Sequence, residues 1–220
     1  MSRRKITDMK SWLEDFQLSQ YNGYADQGTS MPYLPPREKI LSTSKKDPLK
    51  IDWIDDATLE YVGGLGMTMC PGRTDSGMLY KYKRSLTADL EKLKSEGTTT
   101  LVTLVEEFEL QNVGVGGKDF FQNVKGMGLK AVWYPIRDMG APNMKQFRPV
   151  INRIVSRIRT GERVVFHCRA GLGRAGLACA ATLIEMGYSA DFAIECVRGC
   201  RGGTIQTLDQ ERFLERLERL

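Results

Sequence analysis

Residues 163–176, Arg-Val-Val-Phe-His-Cys-Arg-Ala-Gly-Leu-Gly-Arg-Ala-Gly, constrain this 220-residue chain more than any other segment. Arg163–Phe166 is β-branched and aromatic enough to be a buried strand, and His167-Cys168 ends it. Three glycines follow (Gly171, Gly173, Gly176), and an alanine- and leucine-rich helix begins near Arg174. A strand, a glycine-punctuated turn and a helix start make an anion cradle, because unpaired N–H groups point inward and the helix dipole adds positive field. A cysteine at its mouth is expected to be a thiolate at neutral pH. Arg174, six residues after Cys168, can fold back and offer a planar fork to a phosphate. For Cys168 alone, burial at a strand end would be the simpler reading; that reading does not explain the arginine or the glycine register.

His167, Cys168, Gly171, Arg174 and Gly176 fit the pattern His-Cys-x-x-Gly-x-x-Arg-(Ser or Thr)-Gly, and the segment resembles the signature of the cysteine-dependent protein phosphatases. Position 175 departs from it: the family usually has a hydroxyl where this chain has Ala175. The phosphatases of regenerating liver are similar here, with Gly-Leu-Gly-Arg-Ala in their signature. That resemblance implies a slow breakdown of the phosphocysteine. It also implies that Cys168 is the nucleophile and that Arg174, with the loop positions Arg169, Ala170, Gly171, Leu172 and Gly173, binds the phosphoryl group.

Length suits one domain with an extension. Five cysteines without regular spacing argue against a disulfide framework and for a reducing compartment, so a cytoplasmic location is expected. Met1-Ser-Arg-Arg-Lys leads into charged sequence without a signal-like apolar run, and no segment has the apolar length of a membrane span. The net charge of +5 favours anionic substrates but is too scattered to indicate nucleic acid.

Residues 1–47 read as a loop-rich extension: Tyr21-Asn-Gly-Tyr, Met31-Pro-Tyr-Leu-Pro-Pro and Ser42-Thr-Ser-Lys-Lys-Asp-Pro lack sustained periodicity. Trp12, Leu13 and Phe16 could form one short amphipathic turn. Residues 48–220 alternate between strands and helices. Leu59–Val62 and Leu65–Met69 read as a hairpin or paired short strands, Thr98–Val105 and Leu129–Ile136 as strands. Leu86, Leu90 and Leu93 mark a helix stopped by Gly97, and Phe120–Val124 a short one. Met144 to Ile158 traces a long apolar helix face ending at Gly161, with further helices at Ala190–Val197 and Leu208–Leu220. The pattern predicts an α/β fold: a mainly parallel central sheet with helices on both faces, and ligands at the C-terminal strand ends.

A phosphomonoesterase of this kind needs a group to protonate the leaving oxygen. Asp138 in Tyr134-Pro-Ile-Arg-Asp-Met-Gly-Ala-Pro142 is the candidate, on a loop that can share a sheet edge with Cys168. Its bland alternative is pairing with Arg137 or capping the next helix. This loop resembles the acid loop of the kinase-associated, cyclin-dependent kinase inhibitor 3-like branch of the dual-specificity phosphatases. Pro71-Gly72, Gly171-Leu-Gly-Arg174 and Arg201-Gly-Gly-Thr-Ile-Gln-Thr-Leu-Asp-Gln210 match that branch in order and spacing, from about residue 48 to the end. The resemblance gives Gln206 and Gln210 a supporting role in positioning the hydrolytic water; alternatively, Thr207-Leu-Asp-Gln210 is a helix capping box. Arg73 and Arg169 could extend the pocket's positive field. Glu106, Glu107 and Glu109 read as a solvated charge run, one member of which could orient Arg174. His167, the only histidine, is expected to orient the cysteine loop rather than bind metal.

The function expected is a phosphoprotein phosphatase of dual-specificity type, working through a phosphocysteine without metal or cofactor. Its partner would be a phosphorylated protein, a kinase being one class. The alternatives are a phosphoinositide or RNA 5′-phosphate phosphatase, a low-turnover phosphate- or kinase-binding module, and a rhodanese-like domain. Only Arg169 is basic between Cys168 and Arg174, which disfavours the lipid and RNA substrates.

Overall fold

Four parallel strands end in register at one end of the sheet, and the loops that carry Cys168 and Asp138 leave from there. The computed structural model describes residues 38–55 and 63–220. Its strands are β1 (Ile40–Ser42), β2 (Asp52–Trp53), β3 (Gly64–Thr68), β4 (Tyr80–Tyr82), β5 (Thr100–Thr103), β6 (Lys130–Trp133) and β7 (Arg163–His167). Its helices are α1 (Leu86–Ser95), α2 (Glu107–Asn112), α3 (Gly117–Gly126), α4 (Met144–Arg159), α5 (Gly173–Glu185), α6 (Ala190–Cys200) and α7 (Leu208–Glu218).

The central sheet has the order β2-β3-β7-β5-β6, parallel except for β2. Thr68 and Thr103 both align with His167, and Trp133 aligns with Thr103. The loops after these four residues therefore meet at one place. Strands β3 and β5 are buried at every residue and β7 from Val164 on, so both faces of the sheet are covered. Apolar burial supplies the driving force: Leu65, Met67, Leu101, Val102, Val164, Val165 and Phe166 have no exposed surface.

Helix boundaries follow local chemistry. Ser85 caps α1 by accepting from the Ala88 amide, and Gly97, at φ +81°, ends it where a side chain would be strained. Asn143 caps α4 in the same way, and Phe147, Ile151, Ile154, Val155 and Ile158 form its buried stripe. Helix α5 differs: every residue from Gly173 to Ile184 is buried.

The expected strands at Thr98–Val105 and Leu129–Ile136 are shorter than anticipated, because their last residues turn into the loops that build the site. The antiparallel partner of β3 is Asp52–Trp53; Leu59–Val62 lies outside the described residues, as do Trp12, Leu13 and Phe16. Helix α2 was not anticipated, its acidic residues having read as a solvated run. Lys39–Leu220 is one compact unit. Ile40–Asp47, read from sequence as part of the extension, contributes β1, paired parallel with β4, and hydrogen-bond acceptors at Ser42 and Asp47 for buried Arg84.

Candidate active site

The loop after β7 turns back against β3 so closely that only glycine fits. A Cβ on Gly171 would lie 2.4 Å from the Thr68 carbonyl carbon, and its φ is +73°. Gly176 lets α5 pack on the following loop, where a Cβ would meet that of Thr204 at 2.7 Å. No side chain caps the start of α5, whose N-cap is Leu172. The first-turn N–H groups and the dipole are thus available to an anion.

A cavity of about 110 Å³ opens at this helix start, lined by Cys168, Arg174, Asp138 and Gln206, with Met139, Arg169, Ala170 and Gly173 completing its wall. Gly171, Leu172, His167, Ala175 and Gln210 are not on the wall. Gly171 and Leu172 shape the loop behind it, and the other three are fully buried. Of the five cysteines, Cys168 lines the cavity. Burial pushes the Cys70 and Cys179 thiols up, which leaves them poor nucleophiles.

Arg174 is held from two sides. Its Nη1 donates to Glu109 Oε2 at 2.6 Å and to the Ile136 carbonyl at 3.0 Å. Its Nη2 donates to Glu109 Oε1 at 2.7 Å and pairs with Asp138 Oδ1 at 2.8 Å. Glu109 also accepts from the Glu106 amide at 2.9 Å. Burial raises the Glu109 pKa, but the Arg174 and Glu106 contacts outweigh it, and the carboxyl stays below the usual range. So one member of the acidic run does orient Arg174, and it is a buried one.

Asp138 is 58 % exposed at its side chain and sits on a loop fastened by polar contacts. Gln210 Nε2 donates to the Gly140 carbonyl at 3.1 Å, and Thr207 Oγ1 donates to the Met139 carbonyl at 3.2 Å. Met139 has φ +58° and Ile205 φ +55°, so a strained non-glycine residue adjoins both Asp138 and Gln206. Thr207 caps α7 by accepting from the Gln210 amide at 3.2 Å. The Gln210 side chain does not return to Thr207, as a full capping box requires. Its Oε1 accepts from the Gln206 amide at 2.8 Å, joining the loop before α7 to the Asp138 loop.

His167 lies under the loop. Its Nδ1 is 3.4 Å from the Cys168 carbonyl, which can only accept, so Nδ1 carries the proton. Nε2 then accepts from the Thr103 hydroxyl at 2.8 Å. Burial lowers its pKa to about 4, with positive Arg174 adding to the effect and the Cys168 carbonyl opposing it. The neutral ring is a strut between β5 and the cysteine loop.

Arg73 does not face the cavity. It is buried, donates to both Asp75 oxygens at 2.7 and 2.8 Å and to the Arg169 carbonyl at 3.1 Å, and lies 3.8 Å over the Tyr82 ring. Arg169 is pinned by Asp75 as well, through Nε at 3.2 Å and Nη2 at 2.8 Å. Sequence reasoning missed Asp75, which nothing but its place two residues after Arg73 marks.

Among the described residues no helix is long and apolar enough to cross a membrane. Rat cyclin-dependent kinase inhibitor 3 is 27% identical over 177 residues, covering 77% of this chain and 79% of the relative. Bovine protein tyrosine phosphatase type IVA 3 is 31% identical over 134 residues, 60% of this chain and 71% of the relative. The crystal structure of kinase associated phosphatase with its catalytic-site cysteine replaced by serine superposes with a TM-score of 0.70 at 24% identity, covering 79% of this chain and 96% of that one. That of Tk-PTP in the active form gives 0.58 at 25% identity, over 77% and 96%. These likenesses agree with the α/β phosphatase architecture described above. The family model described as "Polymorphic toxin system, DSP-PTPase phosphatase" matches residues 76–188, a span that contains Asp138, Cys168 and Arg174 and stops before Gln206. With that match over half its length, the chain belongs to the DSP-PTPase phosphatases of polymorphic toxin systems.

Proposed function

We propose that this phosphatase hydrolyses phosphoproteins through a phosphocysteine, and one observation carries the reading: Cys168, Arg174 and Asp138 share one small cavity at an uncapped helix start. Cys168 Sγ attacks phosphorus, and the bond to the ester oxygen breaks. Asp138 gives that oxygen a proton, so an alcohol or phenol leaves. The α5 amides and Arg174 hold the equatorial oxygens while charge redistributes. A water, deprotonated by Asp138 and positioned by Gln206, then attacks phosphorus and releases Cys168 as thiolate with inorganic phosphate. Gln210 supports both Gln206 and the acid loop.

One feature favours protein over polyanionic lipid or RNA substrates. Arg169 is the one basic residue between Cys168 and Arg174, and Asp75 already binds it. A kinase is the partner class we infer, on the strength of relatives named for kinases. A cytoplasmic location belongs to the same proposal and rests on cysteine usage. The division into an N-terminal extension, residues 1–47, and a phosphatase domain, residues 48–220, is part of the proposal too and rests on the change in sequence pattern.

Turnover of phosphotyrosine peptide, phosphothreonine peptide and a phosphoinositide, measured side by side, tests the reading. Either peptide should exceed the lipid, and Cys168→Ser should abolish turnover while still binding phosphate esters. Hydrolysis by the Cys168→Ser protein would remove the covalent route.

A further inference from the structure

Beside the catalytic cavity lies a second, shallower hollow of about 460 Å³, walled by Phe108, Trp133 and Pro135 and rimmed by Glu106, Glu107 and Gln111. Phe108 is 56 % exposed and Trp133 45 % exposed, unusual values for large aromatic side chains that line the same hollow. The walls are rigid. Trp133 Nε1 donates to the Val105 carbonyl at 2.9 Å, and its ring packs 5.3 Å from that of Phe121. Phe108 stands on α2, which Glu109 fastens to Arg174.

The charged groups on this lining are both carboxylates, Glu106 and Glu107. Aromatic faces attract cations through the ring quadrupole, and carboxylates at the rim select a hydrogen-bonding cation over a plain alkyl chain. The aliphatic stem of such a side chain would lie along Pro135 and the rings.

Its position gives the hollow a meaning for the reaction. Phe108 precedes Glu109 by one residue, and Pro135 precedes Ile136 by one; Glu109 and the Ile136 carbonyl both hold Arg174. Two residues of the hollow are thus chain neighbours of the two groups that hold Arg174. Neighbouring Cα atoms are about 3.8 Å apart. An extended peptide with its phosphoresidue over Cys168 would reach the hollow within a few residues.

We infer that this groove is a substrate-recognition subsite for an arginine or lysine side chain of the phosphoprotein, near the phosphorylated residue. The inference rests on the phosphoprotein reading above.

The test uses the full chain and three substrates: a small aryl phosphate, a phosphopeptide with arginines two to four residues from the phosphoresidue on both sides, and the same peptide with alanines there. The wild type should favour the arginine peptide in kcat/KM by roughly 3- to 30-fold, the range for cation–aromatic contacts. Phe108→Ala should reduce that preference, and Glu107→Lys should abolish or invert it in favour of glutamate flanks. Both positions are exposed, so neither should alter hydrolysis of the aryl phosphate. No arginine preference in the wild type, or one that both variants keep, overturns the inference; so does a parallel loss with the aryl phosphate. A wild type that leaves the aryl phosphate untouched would instead sink the phosphatase mechanism itself.

Discussion

The signature segment and the acid loop face the same cavity and are built on opposite principles. From Val164 to Ile184 nearly every residue is buried, and glycines fix the path by excluding side chains. From Arg137 to Pro142 the chain is largely exposed, belongs to no helix or strand, and is tied by single hydrogen bonds from Thr207 and Gln210 and by the Asp138–Arg174 pair. Packing holds the part that must bind charge without relaxing. In the proposed mechanism, a few polar tethers hold the part whose proton must meet different leaving groups. Pre-organisation is needed where charge develops, and local looseness is tolerable where a carboxyl has only to reach an oxygen.

Breaking the packed side should produce the largest effect. Arg174→Lys should lower kcat/KM by roughly 10³–10⁵-fold for aryl and alkyl phosphates alike, the range for an arginine that stabilises phosphoryl transfer. The ammonium cannot reproduce the fork that Glu109 aligns. Steady-state kinetics on both esters check this, and a strong leaving-group dependence would refute it.

Breaking the tethered side should be selective. Asp138→Asn should slow alkyl phosphates by roughly 10²–10⁴-fold while good leaving groups slow far less. Equal losses on both would make Asp138 a structural residue, held only to cover Arg174.

The buried strut separates the regions by pH. An unfolded histidine takes its proton near pH 6.5, whereas His167 does so only near 4. Between these values the unfolded chain binds the extra proton, so stability is full above 6.5 and falls as pH drops towards 4. The loss should reach about 3 kcal/mol. Denaturant melts from pH 7 to 4 should show that slope, and His167→Asn should flatten it.

The smallest effect falls inside the packed side. Ala175, fully buried beside Arg174, lacks the hydroxyl that could hydrogen-bond the departing Cys168 sulfur. Rapid-quench kinetics should show a burst and then slow turnover. Ala175→Ser should speed the slow phase by an amount worth at most roughly 1.5–3 kcal/mol. No burst and no gain would mean that the α5 amides already stabilise the thiolate.

How much of this was legible in sequence follows the same contrast. The β7–α5 segment was readable almost to the residue, because β-branched runs, glycine register and helix composition are local signals. Asp138 was readable only beside the signature, since an exposed loop carboxylate has no pattern of its own. Glu109 was half seen: it belongs to an acidic run, and its burial comes from sharing a helix face with Leu110 and Val113. Arg73 and Asp75 looked like loop residues because nothing local predicts a buried ion pair that closes against Arg169. Strands β1, β2 and β4, of two or three residues, carry too few alternations to register as strands.

The Asp138–Arg174 pair has a consequence for the end of the catalytic cycle. At rest, one guanidinium nitrogen already holds an anion supplied by the protein, 2.8 Å away. A phosphoryl oxygen that takes this nitrogen must evict a carboxylate, which frees Asp138 to take up a proton from solvent and turn to the ester oxygen. Free phosphate has no ester group to occupy the released acid, so the carboxylate can reclaim its place. Substrate entry and product departure then become two halves of one ligand exchange. Affinity for inorganic phosphate should be weaker than an unoccupied arginine cradle would give, and product inhibition correspondingly slight.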